Sequence, residues 1–317
     1  MSVLIAPLAL IIERFVGYPR PLYDALRHPV VWMGALIDVL DKRLNRGENR
    51  KAKGALALVV LLAVTAAVAV PVAWGLRQLP FGWVAEALLA TTLLAQRELG
   101  RAVRAVAEAL DHSLEAGRRQ VSQIVGRDPE ALDEAGVSRA AIESLAESAS
   151  DGVVAPLVFL LLGGLPGIAL YKAVNTADSM LGHRTERHRH FGWASARFDD
   201  FCNFIPARLT ALLFCGAAFW VRGAEAERGW TTALRDARKH ESPNAGWPEA
   251  ALAGTLGYSL GGPRAYDGEV VDLPAMGDGT RALASAHIEW ALVLYRATLN
   301  VLLGFSAVLA LALVISG

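Results

Sequence analysis

The stretch GALALVVLLAVTAAVAVPVAWGL, from Gly54 to Leu76, carries no charged side chain in 23 residues. A helix needs about 20 apolar residues to cross the hydrocarbon core of a bilayer, so this stretch is long enough. Six basic residues lie just before it, between Lys42 and Lys53. Because basic flanks tend to stay on the cytoplasmic side, the sequence predicts a spanning helix whose N-terminal end faces the cytoplasm.

The composition of the whole chain agrees with a membrane protein that also has sizeable polar segments. The 317 residues are 54% hydrophobic and 20% charged, and the mean hydropathy is +0.35. These values are too apolar for an ordinary soluble protein and too charged for a chain made only of spans. Lys+Arg and Asp+Glu both number 31, so no overall basic field indicates nucleic-acid binding. The two cysteines, Cys202 and Cys215, have no CxxC spacing, which argues against a disulfide framework or structural zinc.

Three further apolar segments are candidates for spans of differing quality. Val301–Ile315 is predicted to be the last hydrophobic helix, beginning near Trp290. Phe81–Ala95 is predicted to return the chain across the membrane, although Glu86 makes it a weaker span. The N-terminal segment Val3–Val16 is short and contains charged residues, so it is a marginal span.

Two apolar segments flank a basic polar loop, Lys172–Pro206. They are Val153–Tyr171, which contains GGLPG, and Ala207–Val221. If both crossed fully, the basic loop would face outward, against the usual distribution of positive charge. We therefore expect a re-entrant or broken helical pair, because non-helical backbone is tolerated at membrane depth where it lines a polar cavity.

The remaining sequence reads as polar helices. Apolar residues recur at steps of three and four between Leu99 and Leu114, the spacing of one apolar helix face. We expect an all-α integral membrane protein with several transmembrane helices, the re-entrant or broken pair, and cytoplasmic amphipathic helices. We expect one membrane-embedded domain, residues 1–317, with cytoplasmic polar helical segments at about 96–152 and 223–286.

The first polar cluster comprises Glu143, Glu147 and Asp151, at positions i, i+4 and i+8. On a continuous helix these carboxylates share one face and repel each other unless a cation neutralises them. Mg²⁺ commonly binds between carboxylates and substrate phosphates, so the cluster is a candidate Mg²⁺ site. The alternative is a solvated helix end that Asp151 caps.

The second cluster lies in YKAVNTADSMLGHRTERHRHFGWASARFDDFCNFIPARL, from Tyr171 to Leu209. Lysine and arginine bind phosphate oxygens and carboxylates, while aspartates bind metal. The alternative is a polar connector whose charges pair with one another, but apolar segments on both sides favour a functional site. Neither a GxxxxGK[ST] nor a GxGxxG loop occurs. The candidate residues are Lys172, Asn175, Asp178, Arg184, Asp199, Asp200, Asn203 and Arg208.

The third cluster is RDARKHESPNAGWPEAALAG, from Arg235 to Gly254. Its prolines, Asn244 and Gly246 predict a compact turn. The side chains that would project around this turn, in an arrangement suited to anion binding, are Arg238, Lys239, His240, Ser242 and Asn244. The alternative is an ordinary loop that caps a helix.

Together with HPVVWMGALI, from His28 to Ile37, these stretches closely resemble the adenosylcobinamide-phosphate synthase family (CobD/CbiB) over roughly residues 10–300. The resemblance implies a multi-pass protein of the cytoplasmic (inner) membrane with its active site facing the cytoplasm. It also implies a carbon–nitrogen ligase that joins the free propionate of adenosylcobyric acid to aminopropanol or its O-phosphate, with ATP and Mg²⁺. The sequence departs from the family pattern at Ser148, His183 and Phe204, where Asn, Tyr and Trp are usual.

Given that resemblance, we assign roles to the polar residues as a hypothesis. The expected partners are the corrinoid, the amine, the lipid bilayer, and a second copy or later enzymes of cobalamin synthesis, but not nucleic acid. The catalytic candidates are Glu147, Asp151, Lys172, Asp178, Asp199 and Asp200, of which Asp151, Asp178, Asp199 and Asp200 are the Mg²⁺ candidates. The candidates for binding substrate and phosphate are Asn175, Arg184, Asn203, Arg208, Arg238, Lys239 and Asn244.

Two other functions compete with the ligase. An AmpE-like membrane signalling or sensory protein would not be expected to need the SPNAGWPEAA turn, Ser242–Ala251, together with the full polar set. A small-solute transporter should have more full spans, repeat symmetry and fewer long polar helices.

Overall fold

The computed structural model describes residues 4–17, 27–126, 129–182, 185–262, 264–266, 269–271 and 273–316. Within these ranges the protein is almost entirely helical, and the α-helices below are numbered in chain order. They are α1 (Ile5–Phe15), α2 (Pro29–Leu44), α3 (Arg50–Arg77), α4 (Gly82–Thr91), α5 (Gln96–His112), α6 (Leu114–Val121), α7 (Glu134–Ala149), α8 (Ala155–Leu181), α9 (Trp193–Ala217), α10 (Ala226–Asp236), α11 (Gly246–Leu256) and α12 (Ser285–Ser316).

Four helical stretches are long and apolar enough to cross a membrane, counted over the described ranges. They are Arg50–Arg77, Glu134–Leu181, Trp193–Trp220 and Ser285–Ile315. The expectation of an all-α integral membrane protein is therefore confirmed. The last helix begins at Ser285, somewhat earlier than the sequence predicts.

The chain folds into two compact units, each assembled from separate parts of the sequence. Unit 1 comprises residues 1–95, 155–203 and 306–317, and unit 2 comprises residues 96–154 and 204–305. The expectation of one membrane-embedded domain stays a prediction.

In unit 1, helix α3 packs against α2 and α8 through small and aliphatic side chains. Leu61, Ala173 and Phe191 belong to this core and are buried. A Cβ atom at Gly54 would lie 1.9 Å from the carbonyl oxygen of Phe191. Glycine at this position therefore allows the segment before α9 to lie directly on the start of α3.

Helix α8 is broken at Gly164, whose φ of 62° and ψ of −152° are not helical. The break frees the N–H of Leu165, which donates to Glu86 Oε1 at 3.1 Å. The carboxylate of Glu86 is fully buried and also accepts from Arg77 Nη2 at 3.0 Å. The Glu86 carboxylate therefore neutralises Arg77 and accepts a hydrogen bond from the N–H that the helix break leaves without an intrahelical partner. The sequence prediction of a broken helix is confirmed at Gly164.

The prediction that Phe81–Ala95 returns across the membrane is wrong. Helix α4 has only 10 residues, which is too short for a span, and it ends at Thr91. The physical reason is Glu86, whose ion pair and hydrogen bonds tie this helix into the interior of unit 1. Helix α1, with 11 residues, is likewise too short to cross.

Helix α9 continues through Pro206 and is followed by a 3₁₀ turn, Ala218–Trp220. The second member of the expected pair is therefore unbroken. Because α9 with this turn is long enough to span, its re-entrant placement stays a prediction.

In unit 2, α5 packs against α6 and α7, and α10 packs against α11. Val103, Val106 and Leu110 are buried, which confirms the apolar face that the sequence predicts for α5. Two short antiparallel pairs follow α11, and no alternating pattern in the sequence predicts them. The strands are β1 (Leu260–Gly261), β2 (Arg264–Tyr266), β3 (Glu269–Val271) and β4 (Ala275–Met276), paired β1 with β4 and β2 with β3.

The Glu86 interactions generate a stability prediction. Glu86→Ala removes the partner of Arg77 and leaves the Leu165 N–H without its acceptor, so the free energy of unfolding should fall by about 3 kcal/mol. Unfolding of the detergent-solubilised protein by heat or by SDS, followed by circular dichroism, would measure the change. Glu98→Ala is the control, because Glu98 and Arg101 form an exposed pair that contributes about 0.5 kcal/mol or less. Equal effects of the two substitutions would contradict the proposed role of Glu86.

Candidate functional site

Helices α8 and α9 bring six of the predicted site residues together in unit 1. The hydroxyl of Tyr171 donates to Asn203 Oδ1 at 2.8 Å, and Asn203 Nδ2 donates to Asp199 Oδ2 at 2.8 Å. This chain of hydrogen bonds fixes the orientation of a buried carboxylate, since Asp199 is only 7% exposed. We call the group the aspartate cluster; it comprises Lys172, Asn175, Asp178, Asp199, Asp200 and Asn203.

The aspartate cluster contains three carboxylates, those of Asp178, Asp199 and Asp200, but only one cationic side chain, that of Lys172. Asp178 and Asp200 both interact electrostatically with Asp199, and Asn175 lies beside it. Asp199 Oδ1 is buried, and no donor among the described residues reaches it with full hydrogen-bond geometry, although the Asn175 amide is close enough to stabilise the carboxylate. Because a buried oxygen without a partner is costly, this atom is suited to receive a cation or a donor from a ligand.

A magnesium ion fits this donor set in one particular way. The described part of the chain contains no group of three or more His, Cys, Asp or Glu residues that could hold a metal by themselves. Mg²⁺, however, is often bound by one or two carboxylates, with water and substrate phosphate completing its coordination. Asp199 and Asp178 therefore suit an ion that binds together with a phosphate.

His28 adjoins the aspartate cluster, although the sequence patterns gave it no role. It precedes α2, and its Nδ1 accepts the N–H of Val30 at 3.2 Å, which caps the helix. Burial and the neighbouring Lys172 charge lower the pKa of His28. A neutral imidazole adds no positive charge beside Lys172, whose Nζ donates to Asn175 Oδ1 at 3.3 Å. A histidine directly before a proline at the start of a helix was the available sequence signal.

The three carboxylates predicted to share a helix face have different environments in unit 2. Glu143 is buried and accepts the N–H of Gly261 at 2.7 Å, so it stabilises the fold. Glu147 is exposed near the end of α7. Asp151 lies in a π-helical turn, Ser150–Val154, which joins α7 to α8. The wider turn changes the angular spacing of residues, so the expected i, i+4, i+8 face does not extend to Asp151.

A second concentration of predicted residues lies around Arg208 in unit 2. Its guanidinium stacks on the rings of Phe204 and Trp247, with its central carbon 3.7 Å and 4.7 Å from their centroids. Arg208 Nη1 donates to the Phe204 carbonyl at 2.6 Å and to Asn244 Oδ1 at 3.2 Å. Arg238 interacts electrostatically with Arg208. We call Arg208, Arg238 and Asn244 the arginine site.

The turn that carries Asn244 is compact, as the sequence predicts. Ser242 Oγ accepts the N–H groups of Asn244 and Ala245 at 3.2 Å and 3.3 Å. His240 Nδ1 in turn accepts the N–H of Ser242 at 2.9 Å. These bonds hold Asn244 in place next to Arg208.

Lys239 differs from its neighbour Arg238, because its charge is neutralised. Its Nζ lies 2.7 Å from Asp236, a buried carboxylate that also binds Arg235 at 2.7 Å. Burial raises the pKa of Asp236, but hydrogen bonds from Arg235, Lys239 and the Gly277 N–H outweigh it, and the net pKa is well below its usual value. Lys239 therefore stabilises the fold around Asp236, and the sequence could not separate it from Arg238.

The loop between α8 and α9 contains three histidines, His183, His188 and His190. His183 and Arg184 lie outside the described residues. His188 Nε2 is 3.6 Å from Asp41 Oδ1, and Arg187 also hydrogen-bonds Asp41. The described part of this loop thus contacts the end of α2.

The predicted site residues fall in both compact units. Unit 1 contains the aspartate cluster, and unit 2 contains the arginine site. Unit 2 also contains Glu147, Asp151 and Lys239. The residues that sequence reasoning missed are Tyr171, His28, Trp247 and Asp236.

Comparisons with known proteins find relatives along nearly the whole chain. A family model described as CobD/Cbib protein matches residues 6–295. The cobalamin biosynthesis protein CobD of Sinorhizobium fredii is 46% identical over 315 residues, covering 97% of each chain. The protein of the same name from Rhizobium meliloti is 46% identical over 320 residues, covering 98% of each chain.

A third relative, the cobalamin biosynthesis protein CobD of Rhodobacter capsulatus, is 46% identical over 307 residues, covering 94% of this chain and 95% of its own. No solved structure matches the chain. The family match over most of the chain, with relatives this similar along nearly their full length, shows that the chain belongs to the CobD/CbiB family.

Proposed function

We propose that this protein is an ATP-dependent amide ligase of cobalamin biosynthesis. It joins the free propionate of adenosylcobyric acid to the amine of aminopropanol or aminopropanol O-phosphate. Family membership supports the cobalamin pathway. The observation that carries the chemistry is the buried Asp199 carboxylate, which has one oxygen without a hydrogen-bond partner among the described residues and lies near Asp178 on the neighbouring helix.

The reaction must overcome the low reactivity of a carboxylate as an acyl donor. In the first step a propionate oxygen attacks the γ-phosphorus of ATP, which forms an acyl phosphate and releases ADP. In the second step the amine nitrogen attacks the acyl carbon, phosphate leaves, and a base takes the proton that the nitrogen loses. Both steps require phosphate-binding cations, a proton acceptor and exclusion of water.

The aspartate cluster supplies residue types suited to these tasks. Lys172 offers an ammonium group to phosphate oxygens, and neutral His28 does not compete with it for the anion. Asp199 offers a buried oxygen to a metal or to the substrate ammonium. Asn175 and Asn203 orient these groups through their hydrogen bonds. When bound, Mg²⁺ would neutralise phosphate charge, with Asp178 and Asp199 as its candidate protein ligands.

We further propose that this chemistry takes place at the cytoplasmic side of the inner membrane. The basic segment before α3, between Lys42 and Lys53, favours a cytoplasmic N-terminal end for that span. ATP and corrinoid intermediates are expected on the same side.

One prediction from the proposed function concerns amide formation. Detergent-purified protein should convert adenosylcobyric acid, one form of the amine and Mg·ATP to the amide, followed by mass spectrometry. Asp199→Asn preserves the shape of the side chain but removes its charge, so we expect kcat to fall about 100-fold or more. Asp38→Asn, an exposed carboxylate of α2 in the same unit, should leave kcat unchanged.

The results of this assay test two hypotheses separately: that the protein is a ligase, and that Asp199 belongs to its active site. Product from Asp199→Asn at the parental rate would retain the ligase and reject the assigned site. A folded parent that yields no product with either form of the amine would reject the ligase and favour the membrane signalling function.

Another prediction from the proposed function concerns the metal. Asp178→Asn removes one carboxylate from the aspartate cluster, so the Mg²⁺ concentration that gives half the maximal rate should rise about tenfold at saturating ATP. Titrating Mg²⁺ against parent, Asp178→Asn and Asp38→Asn, with EDTA-treated protein as the starting point, would measure the change. An unaltered titration curve for Asp178→Asn would exclude this residue as a metal ligand.

A further inference from the structure

The basic residues of unit 2 differ in whether the protein neutralises them. Arg235 and Lys239 contact Asp236, and Arg228 contacts Asp278 at 3.0 Å. Over the residues that the structure describes, Arg208 and Arg238 have no carboxylate oxygen within 4.0 Å. The fold brings these two arginines to one region, because Arg208 lies over the ring of Trp247 and the preceding residue, Gly246, packs on Ala237: a Cβ atom at Gly246 would lie 2.2 Å from the Ala237 carbonyl oxygen. Arg238 directly follows Ala237 in the chain.

The environment of Arg208 restricts its position but leaves hydrogen-bonding capacity. The rings of Phe204 and Trp247 both lie against the guanidinium, with their centroids 3.7 Å and 4.7 Å from its central carbon. The edge of the guanidinium carries its N–H donors. Both hydrogen bonds that Arg208 donates to the described part of the protein come from Nη1. The Nε and Nη2 donors are therefore available to a planar or tetrahedral oxyanion.

Bringing Arg238 close to Arg208 is unfavourable unless an anion lies with them, because like charges repel. Arg208 lies midway along α9, a helix apolar enough to span a membrane, where uncompensated charge is costly and tends to be functional. A phosphate monoester carries nearly two negative charges at neutral pH and three acceptor oxygens, which match two guanidinium groups.

We propose that Arg208 and Arg238 together bind one dianionic phosphate group, and that Asn244 and the two aromatic rings hold Arg208 in position for it. The inference deepens the proposed function, because that reaction supplies two sources of such a group. One is the nucleotide and the other is the phosphorylated amine. Lys239 is excluded from the site because Asp236 neutralises it.

The test is direct binding, measured by isothermal titration calorimetry on the full chain in detergent. The probes are inorganic phosphate, aminopropanol O-phosphate, a non-hydrolysable ATP analogue and propionate. Arg208→Gln and Arg238→Gln should each weaken the binding of inorganic phosphate about 10- to 100-fold. The double variant should lose much less than the product of the two effects, because both residues bind the same anion.

Arg222→Gln is the matched control. Arg222 is exposed in the same unit and also has no carboxylate within 4.0 Å among the described residues, so it tests whether removing any arginine weakens binding. Its phosphate affinity should equal that of the parent. If Arg208→Gln fails to fold, Arg238→Gln still tests the proposal, because Arg238 is exposed on a 3₁₀ turn and its substitution removes no core packing.

The remaining probes identify the source of the phosphate. If the arginine variants lose affinity for aminopropanol O-phosphate and inorganic phosphate but not for the ATP analogue, the site binds the amine substrate. If they lose affinity for the ATP analogue and inorganic phosphate but not for aminopropanol O-phosphate, the site binds the nucleotide. Unchanged phosphate binding in both variants, or an equal loss in Arg222→Gln, would overturn the proposal, as would loss of propionate binding alone.

The inference and the proposed function can fail separately. Arginine-dependent phosphate binding in a protein that forms no amide would reject the ligase and retain the site. Amide formation by the parent, together with unchanged phosphate affinity in both arginine variants, would reject the site and retain the ligase.

Discussion

The burial of one carboxylate, Glu86, constrains much of unit 1. A charged group enclosed by apolar helices must be paired and hydrogen-bonded, and Glu86 meets this requirement through Arg77 and the Leu165 N–H. These contacts join the end of α3, the short α4 and the break in α8. Because the acceptor for the broken-helix donor comes from a different helix, α8 can interrupt its backbone pattern at Gly164 without leaving that N–H unsatisfied. The polar half of α8, which carries Lys172 and Asp178, follows this break.

Local sequence was sufficient to predict the long apolar helices. The length of the uncharged run at Gly54–Leu76 requires no knowledge of its neighbours, and the Gly-Gly-Leu-Pro-Gly motif signals a break by its backbone preferences alone. Helix α4 could not be predicted in the same way. Its composition resembles that of a weak span, and only the tertiary partners of Glu86 account for a short helix held inside the unit.

The same distinction applies to the site. Asp199 and Asn203 are separated by one helical turn, so their contact follows from helix geometry. The adjacent residues Arg238 and Lys239 have the same charge and lie in the same turn, yet only Lys239 reaches buried Asp236. A sequence pattern does not contain this difference, since it depends on which direction each side chain takes. The π turn at Ser150–Val154 also alters the helical periodicity that the sequence predicts through Asp151.

The stacking of Arg208 also has a consequence for conformational entropy. A free arginine side chain loses roughly 2 kcal/mol of rotamer entropy when it is immobilised. Because Arg208 contacts both Phe204 and Trp247 and hydrogen-bonds Asn244, much of this loss occurs when the chain folds. A ligand that meets the ordered guanidinium therefore retains more of its interaction free energy as affinity. A ligand whose shape required Arg208 to move would have to disrupt two ring contacts, so order at this position favours selectivity as well as strength.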